Sequence, residues 1–531
     1  MTEQLIVFVL LLFGVSLLSV VADKIKVSYP ILLVLAGLII WLIPGMPVLE
    51  MDPDIVFFIF LPPLLYAAAW QTSWNDFWKW KRSIFLLAFG LVIFTSTVVA
   101  YVSVWLIPGF TLALGFLLGG IISPPDAIAA TSVMKGLKVP KRLSIILEGE
   151  SLINDASSLI IYRFAIATIL TGMFSLSHAV GQAFIVSLMG VVIGLVIASI
   201  LYIIHRFVPT TASVDTAITL ISPYFCYLTA EYFHYSGVLS VVFAGLFLSW
   251  RSAEIFNYET RIQAFGVWGT LIFILNGVVF ILIGLQLPLI IKDLDGFTLS
   301  QAIFFGITIS LLVMGIRLIW MFPAAYIPRL ISKKIRATES SPRWKAVLIS
   351  GWSGMRGVVS LASAMALPLT TTGGGTFPFR NMILFITFSV ILMTLVVQGL
   401  SLPILIKILK LEDSENKEDE EKKVRTHLYY TAIEFIESNY AQVDATRDAL
   451  HHIKTKYERQ IDQINRRMLT ADQTRHSEEV FREFNTMQLH MINFERKEIK
   501  LLRKKKEYDE GVLRKLEYEL DLAEAALRNF G

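Results

Sequence analysis

The chain has 531 residues, 55% of them hydrophobic and 17% charged, with a net charge of +4 and a mean hydropathy of +0.63. That balance excludes an ordinary soluble domain and points to an integral membrane protein. The small, unevenly spread charge excess gives no support to nucleic acid as a partner. The single cysteine, Cys226 in the apolar run ISPYFCYLTA, excludes an internal disulfide framework and argues against a thiolate metal site.

Windows of roughly 20 apolar residues, the length a helix needs to cross the hydrocarbon core, recur thirteen times before residue 411. The first, near 4–22, lies in MTEQLIVFVLLLFGVSLLSVVADKIK. Its acidic start and its run into Asp23, Lys24 and Lys26 fit a first transmembrane helix rather than a cleaved signal. The others run near 28–44, 54–70, 83–107, 111–134, 143–171, 180–205, 215–232, 236–250, 264–291, 299–323, 344–368 and 380–410. With thirteen spans, the connections on one side hold eighteen Lys and Arg residues, among them Lys79, Lys81, Arg82, Arg142, Arg251 and Lys345, and those on the other hold only Lys292 and Arg380. Basic loops stay cytoplasmic, so the asymmetry predicts an N-terminus outside and a C-terminus inside. From Leu411 the chain turns polar, LEDSENKEDEEKKVRTH, with helical periodicity as in VLRKLEYELDLAEAALRNF. Two domains are expected: a membrane domain over 1–410 and a helical cytoplasmic tail over 411–531, whose charge runs read most simply as solvated helix faces.

Three spans carry polar groups where lipid should be. In the fifth, LGFLLGGIISPPDAIAATSVM, Pro124 and Pro125 remove two backbone donors directly before Asp126, so the helix is expected to unwind there. Unwound carbonyls at membrane depth suit a hard monovalent cation; a plain proline kink with Asp126 near the interface is the alternative. In the sixth, LEGESLINDASS puts Glu148, Ser151 and Asp155 on one helix face at i, i+3 and i+7, and Glu150 and Asn154 on the adjacent face at i, i+4. A carboxylate in hydrocarbon must be met by a proton, a cation or an arginine, which makes Asp155 a charge-exchanging site by default. A polar helix-packing network is the alternative.

The twelfth span, LISGWSGMRGVVSLASAMAL, sets Arg356 among Gly351, Gly354 and Gly357. An arginine at that depth needs an acidic partner. Glu150 is the candidate, and the pairing would leave Asp126 and Asp155 to the ion. Breaks in the fifth and twelfth spans fall at corresponding places if two six-span units are separated by the seventh, which suggests an internal repeat. Arg163 and Arg317 read as structural pairs or snorkelling side chains, Asn276 as a helix-contact amide, and His205 and His234 as residues near membrane surfaces with no pH-sensing role expected.

If a proton and a cation can displace each other from Asp155, competition at that one carboxylate is enough for exchange, and alternating access would turn it into antiport. No Gly-x-x-x-x-Gly-Lys-Ser/Thr run is present, so coupling to ATP in this chain is not expected, and neither is an enzyme activity or a cofactor.

The runs FIFLPPLLYAAAW, GGIISPPDAIAA, LEGESLINDASS, SGVLSVVFAGL, FILNGVVFILIGLQL and GWSGMRGVVSLA together resemble the bacterial sodium/proton antiporters of the monovalent cation:proton antiporter-1 family, over spans three to twelve. The Glu-Ser-Leu-Ile-Asn-Asp run is the most specific of them. The resemblance implies an all-α polytopic membrane protein of about 13 transmembrane helices in two inverted six-helix repeats. It further implies crossed unwound helices at spans five and twelve, a helical tail, and usually a homodimer in the bacterial cytoplasmic membrane.

By the same resemblance Asp155 binds either Na+ or H+, with Asn154 beside it as in electroneutral members. Ser151, Asp126 and the Pro125 carbonyl supply further oxygen ligands, and Glu150 and Arg356 form a structural ion pair. Two departures bear on selectivity. Pro125-Asp126-Ala127 stands where Thr-Asp-Pro is usual, and Pro62 and Pro63 lead into Tyr66 and Ala67 where an acidic residue is common. Na+, Li+ and K+ therefore stay open as the exchanged cation, with K+/H+ antiport the alternative of the same fold and a cation channel or ion sensor the alternative of another class.

Overall fold

Apart from the breaks at 123–126 and 353–357 and a few terminal residues, the described part of each apolar window is helical, because hydrocarbon offers a backbone amide no partner outside its own segment. In the computed structural model the described residues are 2–25, 29–41, 53–72, 74–134, 137, 139–172, 176–291, 294–338, 341–371, 375–411 and 417–440, with short stretches beyond 453 of which 487–497 is the longest. By internal contacts the chain divides into two units, Met1–Ser414 and Glu415–Gly531.

The first unit begins with α1 (Thr2–Ile25), α2 (Tyr29–Trp41) and α3 (Pro53–Gln71). α4 (Trp74–Phe85) continues through a π-helical segment, Leu86–Leu91, into α5 (Val92–Leu106), so one helix of 33 residues covers the window expected at 83–107. The additional turns are WNDFWKWKR, whose charges hide them from a hydropathy window. α6 (Leu112–Ile122) and α7 (Ala127–Met134) are the halves of the broken fifth window, and α8 (Lys141–Thr171) carries LEGESLINDASS.

Next come α9 (Leu176–Phe207), α10 (Ala212–Tyr232), α11 (Gly237–Trp250) and the one-turn α12 (Ser252–Ile255). α13 (Tyr258–Ile291), α14 (Leu299–Ile331) and α15 (Lys333–Thr338) lead to a second broken pair, α16 (Trp344–Trp352) and α17 (Val358–Met365). α18 (Arg380–Met393) runs through another π-helical segment, Thr394–Gln398, into α19 (Gly399–Leu409). Among the described residues seven helical stretches are long and apolar enough to cross a membrane, four shorter apolar helices accompany them, and the only β feature is an isolated bridge between Thr370 and Thr376.

Lipid tails are as apolar as leucine, so close backbone approach has to hold these helices together. Gly115 and Gly119 of α6 lie against Ala100 and Ser96 of α5, where an added Cβ would come within 2.6 Å of a backbone oxygen. Gly37 of α2 and Gly284 of α13 meet in the same way. Buried apolar side chains form two main clusters. The larger includes Val99 of α5, Leu117 of α6, Val279 of α13, Ile309 of α14 and Phe385 of α18. The second includes Tyr66 of α3, Ala198 of α9, Cys226 of α10 and Val241 of α11. α8 belongs to both, with Leu143 and Leu147 in the first and Leu152, Ile153 and Ala156 in the second. Its charged middle is therefore held at the seam between two packed bodies.

In the second unit α20 (Lys417–Tyr440) is a charged helix; the Tyr429 and Tyr457 rings are 5.7 Å apart and Lys454 pairs with Glu437.

Candidate ion-binding site

Pro124 and Pro125 have no N–H to donate, so α6 stops at Ile122 and leaves its last carbonyls without helical partners. Arg356 fills that gap. Its Nε donates to Ile122 O at 3.0 Å and its Nη2 to Ser123 O at 3.3 Å, while Nη1 donates to Gly354 O. The buried guanidinium thus caps the negative end of α6, where the helix dipole favours a cation.

Beyond the break Asp126 restarts the helix: its Oδ1 accepts from the N–H groups of Ile128 at 2.8 Å and Ala129 at 3.4 Å, placing a carboxylate at the positive end of α7. The two broken helices are tied together at this point. The Asp126 N–H donates to the Met355 carbonyl at 2.7 Å, and the Arg356 N–H donates to Thr394 Oγ1 at 3.0 Å, at the start of the second π segment. Gly357 completes the crossing, since a Cβ there would collide with Asp126 Oδ2.

α8 lays its polar residues on this crossing. Ser151 Oγ accepts from the Ala127 N–H at 3.2 Å, and Asn154 Nδ2 donates to the Pro125 carbonyl at 3.0 Å. The second bond orients the amide, because a carbonyl accepts and never donates. Asn154 Oδ1 is left buried with no donor among the described residues. Asp155 is 6% exposed and within electrostatic reach of Asp126; among the described residues no donor bonds its carboxylate. Buried acceptors without donors are rare in folded proteins, and each marks a place for a proton, a water or an ion. α8 is braced from behind by Ser157 Oγ, 2.5 Å from the Ala88 carbonyl of the first π segment.

The ion pair expected between Glu150 and Arg356 is not formed. Glu150 takes Arg317 of α14 instead, with Nη1 donating to Oε1 at 2.5 Å and Nη2 to Oε2 at 2.9 Å. Arg317 is fully buried and also donates from Nε and Nη2 to the Ser350 carbonyl at 3.4 Å. The planar fork of a guanidinium matches a carboxylate edge to edge, whereas Arg356 is drawn to the carbonyls that the broken α6 leaves open. One sequence signal pointed to Arg317: α14 holds no acidic residue, so an arginine in its apolar length needs a partner on another helix. Arg163, the other arginine singled out, pairs with Glu231 of α10 at 2.6 Å.

A profile of the transmembrane sodium/hydrogen exchangers matches residues 7–408. The chain belongs to the sodium/hydrogen exchanger family. It is 32% identical over 388 residues to the sodium, potassium, lithium and rubidium/H(+) antiporter of Bacillus subtilis (strain 168), a match covering 71% of this chain and 58% of that one. It is 32% identical over 414 residues to the Na(+)/H(+) antiporter ApNhaP of Aphanothece halophytica, covering 77% of this chain and 75% of that one. The solved structure of the sodium proton antiporter MjNhaP1 from Methanocaldococcus jannaschii at pH 8 matches the fold with a TM-score of 0.59 at 20% identity, over 75% of this chain and 99% of that one.

As exchangers are secondary transporters rather than enzymes, the site needs access to water and not a reaction centre. A cavity of about 450 Å³ opens beside α8, lined by Ala156, Leu159, Tyr162, Arg163, Glu231 and Ser363 among others. It starts one residue beyond Asp155 along α8, and the Arg163–Glu231 pair forms part of its wall. The exchanger therefore joins, at one place, two helix breaks and a carboxylate without donors, with a cavity beginning at the next residue of α8.

Proposed function

We propose that this exchanger moves one sodium ion against one proton across the cytoplasmic membrane, with the two competing for Asp155 as access alternates between the two sides. The observation that carries the reading is the pair of donorless acceptors, the Asp155 carboxylate and Asn154 Oδ1, beside the crossing of two broken helices. A sodium ion would take both. Ser151 Oγ, the Pro125 carbonyl and Asp126 would add oxygens, the first two through the lone pairs that their existing hydrogen bonds leave over. Asn154 contributes an oxygen without a second charge, so the loaded site carries the same net charge with Na+ as with H+. Exchange is then electroneutral and insensitive to membrane potential. Glu150, Arg317 and Arg356 hold the scaffold and do not carry the ion.

The loop charges support an N-terminus outside and a cytoplasmic tail, and the family resemblance supports a homodimer whose membrane domain, residues 1–410, carries the transport. Potassium in place of sodium is a second reading. It is favoured by the range of ions named for the Bacillus subtilis relative.

The test uses acid-loaded vesicles containing a pH-sensitive dye and either the wild-type chain or Asp155→Asn. Added sodium should raise the internal pH with the wild type and not with the variant, and clamping the membrane potential should leave the rate unchanged. Equal responses from both proteins would remove Asp155 from the ion path. A response to potassium alone would keep the mechanism and change the substrate.

A further inference from the structure

We infer that the rim formed by α4, the start of α8 and the end of α11 is a docking surface for the headgroups of anionic phospholipids. The helix Trp74–Leu106 has 33 residues, about 50 Å at 1.5 Å per residue, against about 30 Å of hydrocarbon. Leu86–Leu106 alone fills that thickness, so α4 runs on into the headgroup layer and beyond it. Phe77 and Ile84 are the buried side of α4, while Lys79, Lys81 and Trp78, the last 41% exposed, face outward.

Indoles and cations alternate around this rim. Trp74 stacks on Trp250 at 6.0 Å and meets Trp78 edge-on at 5.4 Å. The Lys81 ammonium lies 4.9 Å from the centre of the Trp78 ring, the Lys79 ammonium 5.7 Å from Trp80, the Arg142 guanidinium 4.0 Å from Trp80 and that of Arg251 4.4 Å from Trp250. Tryptophan rings lodge at the headgroup level of a bilayer, which places these cations at phosphate depth.

Among the described residues, Glu254 and Asp76 oppose them. Glu254 is engaged by Arg251 at 2.9 Å and by Tyr202, and the hydrogen bonds from Arg251 hold its carboxyl below the ordinary value, so that pair compensates itself. Asp76 lies on the first turn of α4. Lys79 and Lys81 have no carboxylate partner among the described residues, and they supply the excess charge. A soluble anion would use the lysines and ignore the indoles; a phospholipid uses both, phosphate against ammonium and glycerol and acyl chains against the rings. The rim is also in contact with the site helix. Ile84 packs against Gly149, where a Cβ would come within 2.5 Å of its Cδ1, so an occupied rim stiffens the face of α8 that precedes Glu150.

The test takes the full-length protein in detergent and measures retained lipid by native mass spectrometry, with the melting temperature as a second readout. The proteins are the wild type, Lys79→Gln/Lys81→Gln, the charge-keeping Lys79→Arg/Lys81→Arg, and Lys333→Gln on α15 as a basic control elsewhere. Phosphatidylglycerol should be retained above phosphatidylcholine and should raise the melting temperature of the wild type. The glutamine pair should weaken phosphatidylglycerol retention about 25-fold, since each cation near an anionic surface contributes about fivefold, and leave phosphatidylcholine unchanged. The arginine pair and Lys333→Gln should behave as wild type. Equal phosphatidylglycerol retention by wild type and glutamine pair would overturn the inference, as would equal loss of both lipids or the same melting shift with inorganic phosphate alone. The readout is lipid retention, so its failure leaves the proposed ion exchange untouched.

Discussion

At the scale of single residues, two buried arginines do different work. Arg356 satisfies backbone carbonyls at a helix end, while Arg317 neutralises Glu150. A fully desolvated ion pair contributes little net stability against an apolar replacement, yet removing one partner strands the other and costs about 3–5 kcal/mol. Arg317→Met should therefore lower the unfolding temperature sharply, and Arg317→Met/Glu150→Leu should recover most of it in the same thermal scan. A single variant as stable as wild type would show that Glu150 does not depend on Arg317. The sequence made Asp155 conspicuous, because carboxylates in an apolar run have few bland explanations. It assigned Glu150 to Arg356, whereas Glu150 takes Arg317. That choice depends on where α14 packs and on the carbonyls left open at Ile122 and Ser123, neither of which leaves a mark in local spacing.

At the scale of elements, the breaks matter most. Proline pairing before Asp126 and glycine spacing around Arg356 made both interruptions legible, since backbone donors and Cβ atoms are visible in a sequence. The stitching between them was not, because the bond from the Asp126 N–H to Met355 joins residues far apart in the chain. The two π segments were equally hidden, as were the first turns of α4, whose charges lower the hydropathy of a helix that simply extends past the hydrocarbon. Gly357 tests the crossing. An alanine Cβ there would overlap Asp126 Oδ2, and forcing an extra carbon into a packed site costs about 1–3 kcal/mol. Gly357→Ala should weaken the apparent sodium affinity about tenfold, read as the sodium concentration giving half-maximal dequenching. Unchanged half-saturation would mean that Asp126 can shift without consequence for the ion.

At the scale of the whole molecule, every residue assigned to the site lies within Met1–Ser414, and the exchanger profile ends at 408, before the second unit begins. The first unit has its own buried clusters and its own close helix contacts. A chain ending at Ser414 should insert, remain monodisperse in detergent and exchange sodium for protons with the same dependence on Asp155. If the shortened protein is folded by its melting curve but silent in the vesicle assay, Glu415–Gly531 is needed for transport itself, and the exchange cycle is not confined to the membrane unit. If it is active with a displaced pH profile, the second unit sets when the exchanger runs and the crossing at Asp126, Asp155 and Arg356 sets what it does.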